Sequence, residues 1–440
     1  MNMFATPKPL VSAIALISAG LLQPVLAADG LSPTLEEVIV TAQKREQSLQ
    51  DVPGSVSAYD ASALADAGVL DITELQRTSP NTTLQTSRGT NSTLTAYIRG
   101  IGQADPLWGF EPGVGLYVDD VYIARPQSGV LDVYDVERIE ILRGPQGTLY
   151  GKNTIGGAIK YVTKRMTGEP QLDMSMALGS YSQRDLKIAG QLPLSDTLVL
   201  GGSVARLTRD GYGKFLGSGA ENYNKDVSAA RVSLEFTPSD ELFIRLAGDM
   251  SNDDSNAKGG HRLVDSLQLP SEKSPDNVYD TYANMDTDNE VKSSGGSLTI
   301  EWDINEVLQL KSISAYREGD TQTNIDFDNT SLSSLHVPAV YKDDQLTQEF
   351  QLSYAGEALN VVGGLYYYEG TAAGAFDVML GAYDFLVAPY SYSALSAGSV
   401  DTTSYAAYIN AAYDISEQLA VTVGGRYTVD EKSATVYKAG

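Results

Sequence analysis

From residue 171 onward, segments recur in which apolar and polar side chains alternate one by one. In "QLDMSMALG", Leu172, Met174, Met176 and Leu178 fall on one face, and Asp173 and Ser175 on the other. A period of two is the mark of a strand with two unlike faces. The pattern recurs in "RDLKIAGQL", "LVLGGSVARL", "VSAARVSLEF", "LFIRLAGDM", "GSLTIEWDI", "LQLKSISAY", "LTQEFQLSY", "LNVVGGLYYY", "YAAYINAAYDI" and "LAVTVGGRYTV". These segments predict about eleven strands. Their connections alternate as well. Short turns such as "PLSDT", "TPSDE", "INEV", "AGEA" and "ISEQ" take turns with long polar stretches near 211–224, 251–290, 321–342 and 371–399. Short turns on one side and long loops on the other fit an antiparallel barrel that crosses an outer membrane. A soluble sandwich has no physical reason to lengthen every second connection.

Residues 35–165 read differently. "ASALADAGVLDITELQRTSP" has helical apolar spacing at Leu64, Leu70, Ile72 and Leu75, and stops at Pro80. "GVGLYVDDVYIAR" and "VERIEILRG" read as short strands between glycine-rich turns. The expectation is a compact α+β unit of ordinary domain size.

The N-terminus carries Lys8, the apolar run "LVSAIALISAGLL" and small residues up to Ala27. This is the plan of an export signal over 1–27. No later stretch is apolar for the roughly 18 residues a spanning helix needs. The chain has 440 residues, 56 acidic against 31 basic side chains, and a net charge of −25. That balance argues against nucleic acid as a partner. Cysteine is absent, which excludes a disulfide scaffold and thiolate metal sites. The two histidines, His261 and His336, lie in polar, loop-like stretches and predict no metal centre. The 26 tyrosines suit an interfacial aromatic girdle, although tyrosine is also a good strand residue.

"RGPQGTLYGKNTIGGAIK", residues 143–160, is rich in glycine and includes Lys152. A phosphate-binding loop needs four residues between its glycines and a hydroxyl after the lysine. Here Gly147 and Gly151 enclose three, and Asn153 follows Lys152. The glycines are better read as sites of positive φ and close backbone approach.

Together with "YIRGIG" and "GVGLYVDDVYIARPQSG", the run "VERIEILRGPQGTLYGKNTIGGAIKYVTKR" closely resembles the plug domain of TonB-dependent outer-membrane receptors over residues 36–166. The resemblance implies four segments: a signal peptide (1–27), an N-terminal extension (28–43), a plug (44–168) and a barrel portion (169–440). The barrel portion corresponds to about the first half of a roughly 22-stranded barrel. Family members continue further, so the resemblance implies a C-terminally truncated sequence. Residues Glu37, Val38, Ile39, Val40, Thr41 and Ala42 resemble the TonB box, a short segment that adds as a strand to a partner's sheet edge. An ordinary first strand of the plug is the competing reading. Arg99 and Arg143 match plug arginines that pair with barrel carboxylates in the family. Arg88, Gln103, Trp108, Phe110, Arg125 and Gln127 fall where the family meets substrate. The aromatics are open to a second reading, as packing against the barrel wall.

The resemblance implies active import across the outer membrane of a Gram-negative bacterium, energised by TonB and its inner-membrane complex. The implied substrate is bulky and scarce, with a ferric siderophore first. Haem, cobalamin or an oligosaccharide, or a passive porin-like channel, are the alternatives. It implies a monomer in contact with outer-membrane lipid, no catalysis, no cofactor and no resident metal.

Overall fold

A computed structural model describes residues 38–132, 135–381, 392–416 and 418–440. The expected signal peptide (1–27) and Glu37 lie outside the described residues. Up to residue 163 the chain forms ten short strands: β1 (Ile39–Val40), β2 (Gln47–Ser48), β3 (Ser55–Asp60), β4 (Thr82–Thr86), β5 (Leu94–Ile98), β6 (Ile101–Gln103), β7 (Val114–Val118), β8 (Val121–Ile123), β9 (Val136–Arg143) and β10 (Gly157–Thr163). A five-stranded sheet runs in the order β3-β9-β10-β7-β8, with β10 and β7 parallel and its other pairs antiparallel. β4, β5 and β6 form a second small sheet, and β1 pairs with β2. Ile98, Ile139, Ile141 and Ile159 are fully buried in the core between these elements.

The helical stretch is split. α1 (Ala61–Asp66) starts at Asp60, whose side chain accepts from Ala63 N. Gly68, at φ +64°, ends it, and Asp71 caps a separate 3₁₀ turn over Ile72–Arg77. Leu64, Ile72 and Leu75 are buried as the spacing predicts. Leu70 is exposed, because the break at Gly68 takes it off the helical face.

The rest is one antiparallel sheet of eleven strands. They are β11 (Gln171–Leu178), β12 (Arg184–Ser195), β13 (Leu198–Arg209), β16 (Lys225–Ser239), β17 (Leu242–Asp253), β18 (Glu290–Asn305), β19 (Leu308–Asp326), β20 (His336–Ala355), β21 (Leu359–Leu380), β22 (Tyr392–Ser416) and β23 (Leu419–Ala439). A minor hairpin, β14 (Gly213–Lys214) with β15 (Glu221–Asn222), sits in one long connection. Among the described residues, β11 and β23 end the sheet.

The strands from β19 to β22 run further than the hydropathy pattern predicts. The connections expected over 321–342 and 371–399 shrink to residues 327–335 and 381–391. The reason is physical. On β19 the added residues are mostly polar (Thr321–Asp326) and on β21 mostly apolar (Ala372–Leu380), so alternation is lost in both while the backbone ladder continues. His336 accordingly opens β20 rather than lying in a loop, and its Nε2 is 3.3 Å from Asp326 Oδ2.

Outward residues form the apolar band. Leu172, Met174, Met176 and Leu178 are 65–69% exposed, as side chains facing hydrocarbon must be. On β22 the outward Tyr405 and Tyr413 are both about half exposed. Eight residues of strand separate them, about 26 Å along the chain. That length matches an aromatic girdle at each interface. Inward residues carry the polar groups that meet the first domain.

Candidate functional site

Two of the regions that join the plug-like domain to the sheet hold the residues expected to matter. The first is the loop after β6, on the side of the long connections. Trp108 packs on Phe376 of β21 with ring centroids 5.6 Å apart. It lies so close over Gly374 that a Cβ there would fall 2.7 Å from the indole and 2.9 Å from the Tyr341 ring. Arg88 pairs with Asp105 at 2.9 Å and stacks over Phe327, 4.9 Å from the ring centroid. Phe110 stays exposed.

Arg125 has another task. Its guanidinium donates to the carbonyls of Phe110 (2.8 Å), Leu107 (2.8 Å), Pro106 (3.0 Å) and, at longer range, Trp108 (3.5 Å). Gln127 Nε2 donates to the same Pro106 carbonyl at 2.8 Å. Gln103 Oε1 accepts from Asp105 N at 3.0 Å. Arg125 and Gln127 are buried. This corrects the picture of Arg125 as an open contact for an anion, since its donors point into the loop. Three of the six residues expected at the substrate thus shape the loop. Arg88 and Phe110 remain at its surface, while Trp108 packs on the sheet wall, as the second reading of the aromatics has it.

The second region lies toward the short turns. β7 and β8 are joined by Asp119-Asp120 alone, at φ +48° and +66°. Asp119 accepts from Thr163 N and Thr163 Oγ1, both at 2.8 Å. Asp120 meets Lys160 at 3.1 Å and Lys311 of β19 at 3.0 Å. Burial pushes the Asp120 carboxyl up, yet Lys160, Lys311 and Lys44 together hold it well below its ordinary value. Lys311 also reaches Glu301 of β18, which pairs with Arg165 at 2.5 Å. Lys44 pairs with Glu349 of β20 at 2.6 Å, both side chains buried. Arg245 of β17 binds Glu235 at 2.5 Å and donates to Lys164 O at 2.7 Å. Polar side chains on the barrel's inner face are thus matched by polar groups of the plug, as burial of charge requires.

The stretch expected to be the TonB box joins this network. Val40 and Ala42 are buried. Thr41 N donates to Glu140 Oε1 at 2.9 Å, and Lys160 donates to Thr41 Oγ1 at 2.7 Å. Tyr150 OH donates to Ala42 O at 2.9 Å. Residues 39–42 are therefore docked, with β1 paired to β2.

Arg99 and Arg143 sit elsewhere. Arg143 Nη1 donates to Pro80 O at 3.2 Å. Arg99, at φ +54°, lies against Gly144, where a Cβ would be 2.9 Å from its Nη1. Among the described residues neither arginine meets a carboxylate. Lys44, Asp120, Lys160 and Lys311 make the ion pairs instead. The sequence carried one signal for them: "VDDV", two carboxylates at a two-residue turn between apolar runs. In the glycine run, Gly144, Gly151 and Gly157 all have positive φ. Lys152 pairs with Glu111 at 3.2 Å, and Glu111 also holds Lys432 of β23 at 2.8 Å.

Comparison with known proteins places this arrangement. Residues 48–158 match the TonB-dependent receptor plug domain, and residues 233–440 match the TonB-dependent receptor-like β-barrel. The pesticin receptor of Yersinia pestis is 28% identical over 431 residues, covering 95% of this chain and 59% of that protein. The iron-regulated outer membrane virulence protein of Vibrio cholerae is 24% identical, covering 92% and 56%. The crystal structure of the ferric yersiniabactin uptake receptor of Yersinia pestis superposes with a TM-score of 0.76 at 22% identity, covering 88% of this chain and 58% of that one. The ferripyoverdine receptor of Pseudomonas aeruginosa superposes at 0.70 and 13% identity, covering 91% and 55%. The chain thus spans under two thirds of the length of these relatives. An α+β plug whose charged groups are matched by the inner face of a long-looped antiparallel sheet, recognised by both family models, makes this chain a member of the TonB-dependent receptor family.

Proposed function

We propose that the chain belongs to an active importer of a ferric siderophore across the outer membrane of a Gram-negative bacterium, with TonB as its energy-transducing partner. One observation carries this reading. Residues 39–44 are bound into the plug and, through Lys44 and Glu349, onto the barrel wall. A pull on this segment is transmitted directly to the plug sheet and to the groups that fix it. No covalent step is needed, because the ties are hydrogen bonds and ion pairs that a mechanical load separates one after another. The apical surface around Arg88, Trp108 and Phe110 is the proposed substrate contact, supported by its half-exposed aromatics and by the loop that Arg125 holds in shape.

The relatives' names point the same way, toward yersiniabactin and pyoverdine in their cases. The test is uptake of ⁵⁵Fe presented as siderophore chelates to iron-starved cells, with and without the gene, and with residues 37–42 deleted. Energy-dependent uptake lost in both mutants supports the reading. Uptake that persists after the deletion indicates a passive channel. Uptake of a different cargo with the same TonB dependence replaces the siderophore alone.

A further inference from the structure

Four tyrosines from three connections meet at the rim on the side of the long loops. Tyr181 lies between β11 and β12, Tyr212 and Tyr223 flank the β14–β15 hairpin, and Tyr279 lies between β17 and β18. Tyr181 stands edge-on to Tyr212 at 5.1 Å, Tyr212 meets Tyr279 at 5.3 Å, and Tyr279 meets Tyr223 at 5.7 Å. The Arg209 guanidinium caps Tyr212, 3.6 Å from its ring centroid. The cluster is not a buried core. Tyr181, Tyr212 and Tyr279 are 51%, 38% and 44% exposed.

The backbone is bent to present it. Tyr181 and Ser182 form the two central residues of a hairpin turn, at φ +57° and +54°. Gln183 N closes the turn onto Ser180 O at 3.3 Å. Asn-Gly is the natural occupant of such a turn. A bulky aromatic there stores strain, of the kind that collects at functional sites. Tyr223 has positive φ as well, +64°. Stacking of half-exposed rings regains only a small part of what full burial gives, so packing alone accounts poorly for the arrangement.

We propose that this tyrosine ladder is a binding platform for neutral hexose units of a glycan. A pyranose ring has an apolar C–H face that lies on an aromatic face, and hydroxyls at its rim that need polar partners. Both are present here. Asp210 stands beside the ladder, accepting from Ser182 Oγ at 2.6 Å through Oδ2. Both residues are exposed, and a carboxylate has a second oxygen that can accept from a sugar hydroxyl. Rigid amphipathic tyrosines supply contact area at little entropic penalty. Position favours sugar as well. The ladder sits above the outward ion pair Arg206–Asp226, which itself lies above the apolar band, where an outer membrane presents saccharide rather than lipid. The glycan is either the sugar portion of lipopolysaccharide or a free oligosaccharide, and the chemistry is shared.

The test uses the full chain purified in detergent, with maltoheptaose and lipopolysaccharide, the latter with and without its core sugars, as probes. Binding is read from tyrosine fluorescence and by calorimetry. We expect millimolar to micromolar binding that weakens tenfold or more in Tyr212→Leu and persists in Tyr212→Phe, which keeps the ring. Asp210→Asn weakens it less. Far-UV circular dichroism confirms that each variant is folded, and Tyr181→Leu provides a second variant outside the stack's centre. Binding only to lipopolysaccharide that carries core sugars assigns the platform to the membrane's own glycan. Binding to maltoheptaose alone assigns it to a soluble one. If neither glycan binds, or if both leucine variants bind as the parent does, the platform does not exist.

Discussion

Arg125 tests most directly how the apical loop keeps its shape. In Arg125→Met the aliphatic stem is conserved and every donor is lost. Three short bonds, at 2.8, 2.8 and 3.0 Å, and one long bond at 3.5 Å disappear. Hydrogen bonds from a charged donor contribute roughly 1.5–3 kcal/mol each. Three of them give a gross loss of roughly 5–9 kcal/mol on that scale. Removing the buried cation recovers several kcal/mol of desolvation. The net loss is then about 2–4 kcal/mol, felt locally by residues 106–110. Every 1.4 kcal/mol is tenfold in an equilibrium, so the loop should open about 30- to 1,000-fold more often. Amide hydrogen exchange read by mass spectrometry measures this, with the Phe110 amide, bonded to Leu107 O at 3.0 Å, as reporter. Arg125→Lys should fall between, because one ammonium cannot reach all the carbonyls that a planar fork spans. Exchange at Phe110 that stays within threefold of the parent would refute the reasoning. Arg125 would then act on something outside the loop.

The other expectations are shorter. Lys258, buried in the connection between β17 and β18, donates to Thr86 Oγ1, and its amide donates to Gly89 O at 2.9 Å. Burial pulls its ammonium down to about 7. A lysine with a folded pKa below its unfolded one makes stability rise with pH between the two values. The stability of the parent relative to Lys258→Met, from denaturant midpoints, should therefore climb between about pH 7 and pH 10 and be flat below pH 7. A flat profile throughout rejects the buried, deprotonating lysine. Glu140→Gln removes the carboxylate that takes Thr41 N, Thr41 Oγ1 and, at 2.8 Å, Arg138 Nε. Arg138 keeps its pair with Glu137, so a loss of about 1–3 kcal/mol from the weakened acceptor is expected, visible as faster protease cleavage within residues 38–48. Gly157→Ala places a Cβ 2.2 Å from Leu142 O at a φ of +152°, so the plug should melt several degrees earlier in a thermal scan; an unchanged transition contradicts the close approach. Under the proposed function, Lys44→Met should slow uptake while leaving the affinity for a ferric chelate unchanged, since it cuts the tie to Glu349 without touching the apical loop.

Much of the architecture was written in short-range pattern. Period-two hydropathy fixes which face of each strand meets lipid, and the alternation of short and long connections fixes the sidedness. Both survive in the structure: eleven strands, with Leu172, Met174 and Val204 outward. The positive φ at Gly144, Gly151 and Gly157 was equally legible, because only glycine takes such angles without strain. The pattern failed where its cause stops. At the upper ends of β19 and β21 the residues are mostly polar or mostly apolar on both faces, and only the backbone ladder, invisible to hydropathy, keeps the strands going.

The site divides in the same way. The resemblance to the receptor family assigned Arg125, Gln127, Trp108 and Phe110 to one apical region. It did not determine which way they point. A guanidinium is equally suited to an anion from outside and to four carbonyls from within. Only the closed loop, which brings Pro106, Leu107 and Phe110 around one side chain, decides for the carbonyls. The ion pairs are the stronger case. Lys44 and Glu349 are 305 residues apart, and Asp120 and Lys311 are 191 apart. No local rule couples such distant residues. Each charge is tolerable in a buried place only because another strand delivers its partner, and that pairing exists only once the sheet has packed against the plug.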